Sequence, residues 1–62
     1  MFTLYFNRHE IGTINGVEAS YNAYSNFKQS ARDFNALLEL IDAETGELVI
    51  SYDGENDEEF EY

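Results

Sequence analysis

Residues 2–6, Phe-Thr-Leu-Tyr-Phe, alternate as a half-buried strand does. The alternation predicts Phe2, Leu4 and Phe6 on a core face and Thr3 and Tyr5 on the other. Asn7-Arg8-His9 then reads as a polar turn. A second strand is predicted from Glu10 to Ile14, with Gly12 marking a bulge. Asn15-Gly16 is the strongest turn signal in the chain, because both residues accept the positive φ of a two-residue hairpin loop. Val17 to Ala19 is therefore predicted as a short returning strand.

Beyond Ser20 the period changes from two to about 3.6. Tyr24, Phe27, Ala31 and Phe34 fall on one face of a helix predicted over 21–34, while Asn22, Asn26, Gln29 and Asp33 point away. Ser20 is the predicted cap, its hydroxyl accepting an orphan backbone N–H. Lys28 and Arg32 lie four apart on one side, in the later turns, where cations suit the negative helix end.

Ala36 to Asp42 and Leu48 to Tyr52 read as a second hairpin. The connection is Asp42–Glu47, with Gly46 free to take positive φ. Its apolar residues occupy both faces: Leu37, Ile41 and Val49 against Leu38, Leu40, Leu48 and Ile50. One face must take the helix. The other is too apolar to be left to water, which predicts a partner or a second subunit there. From Asp53 onward the chain is highly charged and poor in large apolar groups, the composition of a flexible tail. The pattern gives an α+β protein: a small antiparallel sheet of two β-hairpins with one helix packed across it, ββ(β)αββ. Residues 1–52 form the domain and 53–62 an acidic tail.

Sixty-two residues suffice for one small domain, which buries only roughly 60% of its unfolded surface. There is no Cys and one His, so neither a disulfide nor a thiolate metal site can reinforce it. Five Phe and five Tyr supply the compensating buried area, and homo-oligomerisation is the other common remedy. No apolar run approaches the ~18 residues of a membrane span, and the first residues lack the basic and apolar regions of a signal peptide. The expectation is a cytoplasmic protein with no membrane contact.

Charge sharpens this reading. From Asp33 to Tyr62 there are eleven carboxylates and no Lys or Arg, whereas Met1–Arg32 holds Glu10 and Glu18 against Arg8, Lys28 and Arg32. A formal net charge of −10 repels nucleic acid and anionic membrane and attracts basic protein surfaces. Direct nucleic-acid binding is disfavoured, since three basic residues cannot displace the counterions of a duplex. Catalysis finds no base but His9, which sits in a predicted turn. The carboxylates share one kind of solvated environment, which leaves no acid–base pair with separated pKa values. No glycine loop offers to hold a phosphate or cofactor. Asp53-Gly54-Glu55-Asn56-Asp57-Glu58 alternates oxygen ligands, but Glu58 stands where a calcium loop of the EF-hand kind needs Gly, and the chain provides no twelfth-position Glu. No enzyme, cofactor or metal is expected.

The candidate partner-binding residues are therefore the acids Asp33, Glu39, Asp42, Glu44 and Glu47 of the folded part. Asp53, Glu55, Asp57, Glu58, Glu59 and Glu61 of the tail join them, with Phe60 and Tyr62 as apolar anchors. Three readings compete. In the first, the charges only keep a small domain soluble and its strand edges apart. In the second, they imitate a line of phosphates and occupy the basic groove of a nucleic-acid-binding protein. In the third, the tail docks alone, Phe60 and Tyr62 inserting while the acids steer. The imitation reading is preferred to the tail reading. In size, acidity, lack of Cys and two-hairpin-plus-helix plan, the chain resembles phage- and plasmid-encoded inhibitors of host nucleases: anti-restriction, anti-CRISPR and uracil-DNA glycosylase inhibitor proteins. That resemblance rests on charge and size, not on a motif, and implies a protein that blocks a DNA-processing enzyme.

Overall fold

In a computed structural model of residues 1–62, Asn7 and Arg8 both adopt positive φ, 53° and 70°. They form the tight two-residue loop between β1 (Phe2–Phe6) and β2 (His9–Ile14). The hairpin loop is thus Asn7-Arg8, and Asn15-Gly16 serves another purpose. Gly16, at φ 100°, leads directly into α1 (Val17–Asp33), and its carbonyl accepts the Ser20 N–H at 3.1 Å. The short strand expected at Val17–Ala19 is therefore the first turn of the helix. Ser20 is not its cap. Its hydroxyl donates to the Val17 carbonyl at 2.7 Å, and the residue is wholly buried against the sheet.

Ser20, Tyr24 and Ala31 are the buried helix positions, with Phe27 half-buried between them. Phe34 leaves this stripe. It lies one residue past the last helical one and is 75% exposed, because the chain has already begun to turn. Asn35 takes φ 53°. Its N–H donates to the Arg32 carbonyl at 3.4 Å and the Ala36 N–H to the Ala31 carbonyl at 2.8 Å. These are the paired bonds of a left-handed helix stop, and the buried Ala31 and Ala36 supply its apolar contact.

The remaining strands are β3 (Leu37–Asp42), β4 (Leu48–Asp53) and β5 (Glu58–Glu61). All five form one antiparallel sheet in the order β2-β1-β3-β4-β5, and α1 lies across one face over β1, β3 and β4. The α+β plan expected from the pattern is the observed one. Cross-strand rows Leu4–Leu40–Ile50 and Leu38–Tyr52 form the floor beneath the helix.

Two bulges adjust which residues face it. Leu4 pairs with Gly12 but Tyr5 with Glu10, so Ile11 is the extra residue, next to the glycine that signalled it. Leu40 pairs with Ile50 but Ile41 with Leu48, so Val49 is extra. This second bulge reverses the expected facing. Leu48 joins Ile41 on the open side and Val49 packs against the core.

The segment 53–62, expected to be an acidic tail, is placed in the sheet. Asp53 ends β4, residues 54–57 turn, and Glu58–Glu61 pair with Ile50–Asp53. Gly54 seats the turn against the helix stop, its N–H donating to the Ala36 carbonyl at 2.8 Å.

Candidate functional site

The alternation of β5 divides its acids between two faces. Tyr52 pairs with Glu59 and Ile50 with Glu61, so both glutamates lie on the helix side. There they meet a helix stripe of Tyr21, Tyr24, Lys28 and Arg32. The Tyr24 hydroxyl donates to Glu59 Oε2 at 2.8 Å, and Lys28 Nζ lies 3.0 Å from the same oxygen. Tyr21 donates to Glu61 at 3.2 Å. Arg32 donates through Nε to the Tyr52 hydroxyl at 3.1 Å and stands 3.5 Å from Asp57, to which Tyr52 donates in turn. Lys28 Nζ and the Arg32 guanidinium lie 4.9 and 5.9 Å from the centre of the Tyr52 ring.

The proton affinities result from these contacts. The Tyr52 hydroxyl, then Arg32, hold the Asp57 carboxyl below its usual range. Burial alone would raise Glu59, but the Tyr24 hydroxyl and the Lys28 ammonium together outweigh it and the carboxyl is lowered. Burial and the Glu59 carboxylate push the Tyr24 phenol up, so it keeps the proton it donates. Sequence reasoning assigns Lys28 and Arg32 to the helix end alone. The signal that could have found their partners is the match between helix positions 21, 24, 28 and 32 and the alternate acids 57, 59 and 61.

The opposite face of the sheet has no helix. One cross-strand row runs Glu10–Tyr5–Glu39–Ser51–Phe60 through all five strands. Leu37, Asp53 and Glu58 flank it on one side, and Thr13, Thr3, Ile41 and Leu48 on the other. Phe60 is 48% exposed, and no Lys or Arg occupies any of these positions. Thr3 and Ser51, at 9% and 6% exposure, are overshadowed by taller neighbours and form the floor.

The other expected site residues are scattered. Asp33 ends α1, where it accepts from Gln29 at 3.0 Å. Asp42, Glu44 and Glu47 lie at the far end of β3, about 20 Å along the strand, where Asp42 accepts the Glu44 N–H at 2.9 Å. Asp53 caps the β4–β5 turn. The Asn56 amide, with the N–H groups of Glu55 and Asn56, lowers its carboxyl against the opposing effect of desolvation. Glu55 is exposed in that turn, and Tyr62, 73% exposed, comes directly after β5. The acids therefore do not form one line from Asp33 to the C-terminal segment. A separate apolar concavity of about 420 Å³ opens beside β2, lined by Phe6, Asn7, His9, Ile11, Phe27 and Ser30. No helix is long and apolar enough to cross a membrane.

No family model matches the chain, and neither a curated protein nor a solved structure matches it.

Proposed function

We propose that the protein is a non-enzymatic acidic binding protein that occupies the basic groove of a nucleic-acid-processing protein in the cytoplasm, as an imitation of nucleic acid. One observation carries this reading. Two of the three Lys and Arg residues, Lys28 and Arg32, are engaged by Glu59 and Asp57, which leaves eleven side-chain carboxylates without an ionic partner on a domain whose one remaining Lys or Arg is Arg8. The free acids project from a paired sheet, its turns and one helix, so their spacing is held by the fold.

The reading in which a free tail docks finds less support, because Asp57, Glu59 and Glu61 already bond to the helix side. A second copy is also a poor occupant for the open face, since each chain carries −10. Light scattering across a concentration range tests that point, and a dimer mass would restore self-association.

The test is affinity capture from host lysate with the tagged protein, washed at about 50 and about 200 mM salt, a span that weakens multi-charge groove contacts by orders of magnitude. The expected result is a nucleic-acid-processing protein held at low salt, lost at high salt and displaced by duplex DNA or RNA. Retention that no nucleic acid competes away sinks the imitation. Phe60→Ser with Tyr62→Ser, which leaves the acids in place, separates the tail reading: loss of capture in that variant alone would revive it.

A further inference from the structure

The two edges of the sheet are unlike. One edge, β5, carries Glu58, Glu59 and Glu61, and charge of that kind guards an edge against further pairing. The other edge, β2, has one acid, Glu10, and neither Lys nor Pro. Its backbone is open at two defined places. The Asn7 N–H donates to the Leu37 carbonyl and the Ala43 N–H to the Met1 carbonyl. The odd-numbered residues along β1 therefore bond towards β3, and Phe2, Leu4 and Phe6 bond towards β2. Their partners on β2 are Ile14, the Ile11–Gly12 bulge and His9. Glu10 and Thr13 thus turn their N–H and C=O groups outward, and no turn or loop of the protein bonds to them. The bulge brings this pair into step. Glu10 and Thr13 oppose Tyr5 and Thr3, which are two apart, so a regular strand laid along the outside meets both with alternate residues.

A second observation lies on the helix side of the same edge. The apolar concavity of about 420 Å³ opens there, walled by Phe6, Ile11 and Phe27, and no acid lines it. α1 packs over β1, β3 and β4, which leaves the helix-side residues of β2 at the rim. Ile11 is 42% exposed, and a Cβ at Gly12 would meet nothing within 4 Å. On an added strand, the residue between those opposite Glu10 and Thr13 points to the helix side. It stands beside Ile11, at the mouth of the concavity.

We propose that β2 docks an extended, antiparallel segment of a basic protein partner as a further strand, with one large apolar side chain of that segment seated between Phe6, Ile11 and Phe27. Backbone bonds to Glu10 and Thr13 give affinity, and the apolar seat gives selectivity. Charge complementarity defines the flanking residues. Those opposite Glu10 and Thr13 project on the open face, where Glu10 has no ionic partner, so Lys or Arg belongs there. The segment is thus a large apolar residue between two cationic ones. A second copy offers no such match, because it brings another Glu10 and a further −10 to the same edge. This contact goes beyond the acidic surface described above and rests on that reading for the partner's charge alone.

The experiment titrates the ¹⁵N-labelled protein with the blocked peptide acetyl-Val-Lys-Phe-Lys-Val-amide, followed by amide ¹H–¹⁵N spectra and amide exchange. The expected result is saturable shifts in β2 and at Phe6, Phe27 and Ser30, with slowed exchange at Glu10 and Thr13. Alanine in place of the peptide's phenylalanine should weaken binding about tenfold or more. N-methylation of both peptide lysines keeps their charge but removes the donors that face β2, and should abolish binding. N-methylation of the peptide phenylalanine, whose N–H faces away, should be tolerated. In the protein, Thr13→Pro removes an outward donor, spares the bonds to β1 and should also abolish binding. The peptide series decides the matter if that variant does not fold. No saturable shift, shifts centred on Glu58–Glu61 or spread over all carboxylates, or equal affinity of the alanine or N-methyl-lysine peptide would overturn the docking edge. So would a dimer mass with Glu10 and Thr13 already protected in the free protein, which would give the edge to a second copy. Failure of nucleic acid to displace a captured partner, with peptide binding intact, would instead refute the imitation and spare the edge.

Discussion

The Tyr24 hydroxyl donates to Glu59 across the gap between helix and edge strand, at 2.8 Å. Tyr24 is 2% exposed, so its phenol would be stranded without that acceptor. Here a core residue and a surface acid are one unit. The bond fixes the last strand of an acidic segment to the body of the protein.

Tyr24→Phe keeps the ring packing and removes the bond. A hydrogen bond to a charged acceptor contributes about 1.5–3 kcal/mol when buried, and less where the carboxylate is partly in water. The expected loss is about 1 kcal/mol of unfolding free energy, read as a lower urea midpoint at unchanged slope. An unchanged midpoint would mean that Glu59 does not anchor β5.

The lowered Asp57 and Glu59 carboxyls set a direction for acid sensitivity. A carboxyl whose folded pKa lies below its unfolded value contributes stability above the unfolded value, about pH 4, and loses it as pH falls through the folded one. Wild type should therefore exceed Glu59→Gln in stability at pH 6, and the gap should close near pH 3. Urea denaturation at the two pH values checks this. A gap that persists in acid would place the effect of the substitution elsewhere.

Gly54 lies where no side chain fits. A Cβ there would sit inside the contact limit of the Ala31 carbonyl and 2.8 Å from the Ala36 oxygen. Both are backbone atoms of the helix stop and cannot swing aside. Gly54→Ala should cost about 1–3 kcal/mol, as overpacking does, and lower the melting temperature in a scan. Wild-type stability would show that the turn does not dock on the helix end.

Much of the fold is legible because its apolar residues keep a clean period. Phe2, Leu4 and Phe6 alternate, and Tyr24, Phe27 and Ala31 repeat on one helix face, so strand and helix are assignable from spacing alone. The departures at the turns share a cause: positive φ marks a turn without specifying the element on its far side. Asn15-Gly16 reads as a hairpin loop, yet Gly16 leads into a helix, while the less obvious Asn7-Arg8 takes both left-handed conformations. Bulges are legible only where a glycine advertises one, so the facing of Val49 and Leu48 comes out reversed. The 53–62 segment resists reading for a different reason. Its strand has few apolar residues, and what holds it is a set of long-range bonds to Tyr21, Tyr24, Lys28 and Arg32 that composition does not reveal. Of the candidate site, the acids are visible in the sequence, but their division between internal partners and the open face depends on register.

Asn35 is left-handed at φ 53° without being glycine. A β-branched residue is strained there, at roughly 1–2 kcal/mol, whereas glycine is at ease. Asn35→Val should lower stability by that amount and Asn35→Gly should leave it nearly unchanged. Equal losses in the two variants, by urea midpoint, would show that the Asn35 side chain matters and not its backbone.

Salt should act with opposite sign on stability and on binding. The folded chain gathers a net −10 into a small volume, and such self-repulsion destabilises the compact state. Two exposed ion pairs pull the other way, Lys28 with Glu59 and Arg32 with Asp57, but exposed pairs contribute little and are outnumbered by unpaired acids. Raising sodium chloride from about 50 to about 500 mM shortens the screening length from roughly 14 to roughly 4 Å. Repulsion between acids on different strands and turns then fades, and the melting temperature should rise. Capture of a basic partner, which draws on the same field, should weaken over the same range. Melting monitored by circular dichroism, beside binding at the same two salts, reads both. If stability falls with salt instead, the paired contacts outweigh the repulsion, and the unpaired acids cannot be as close together as the sheet places them.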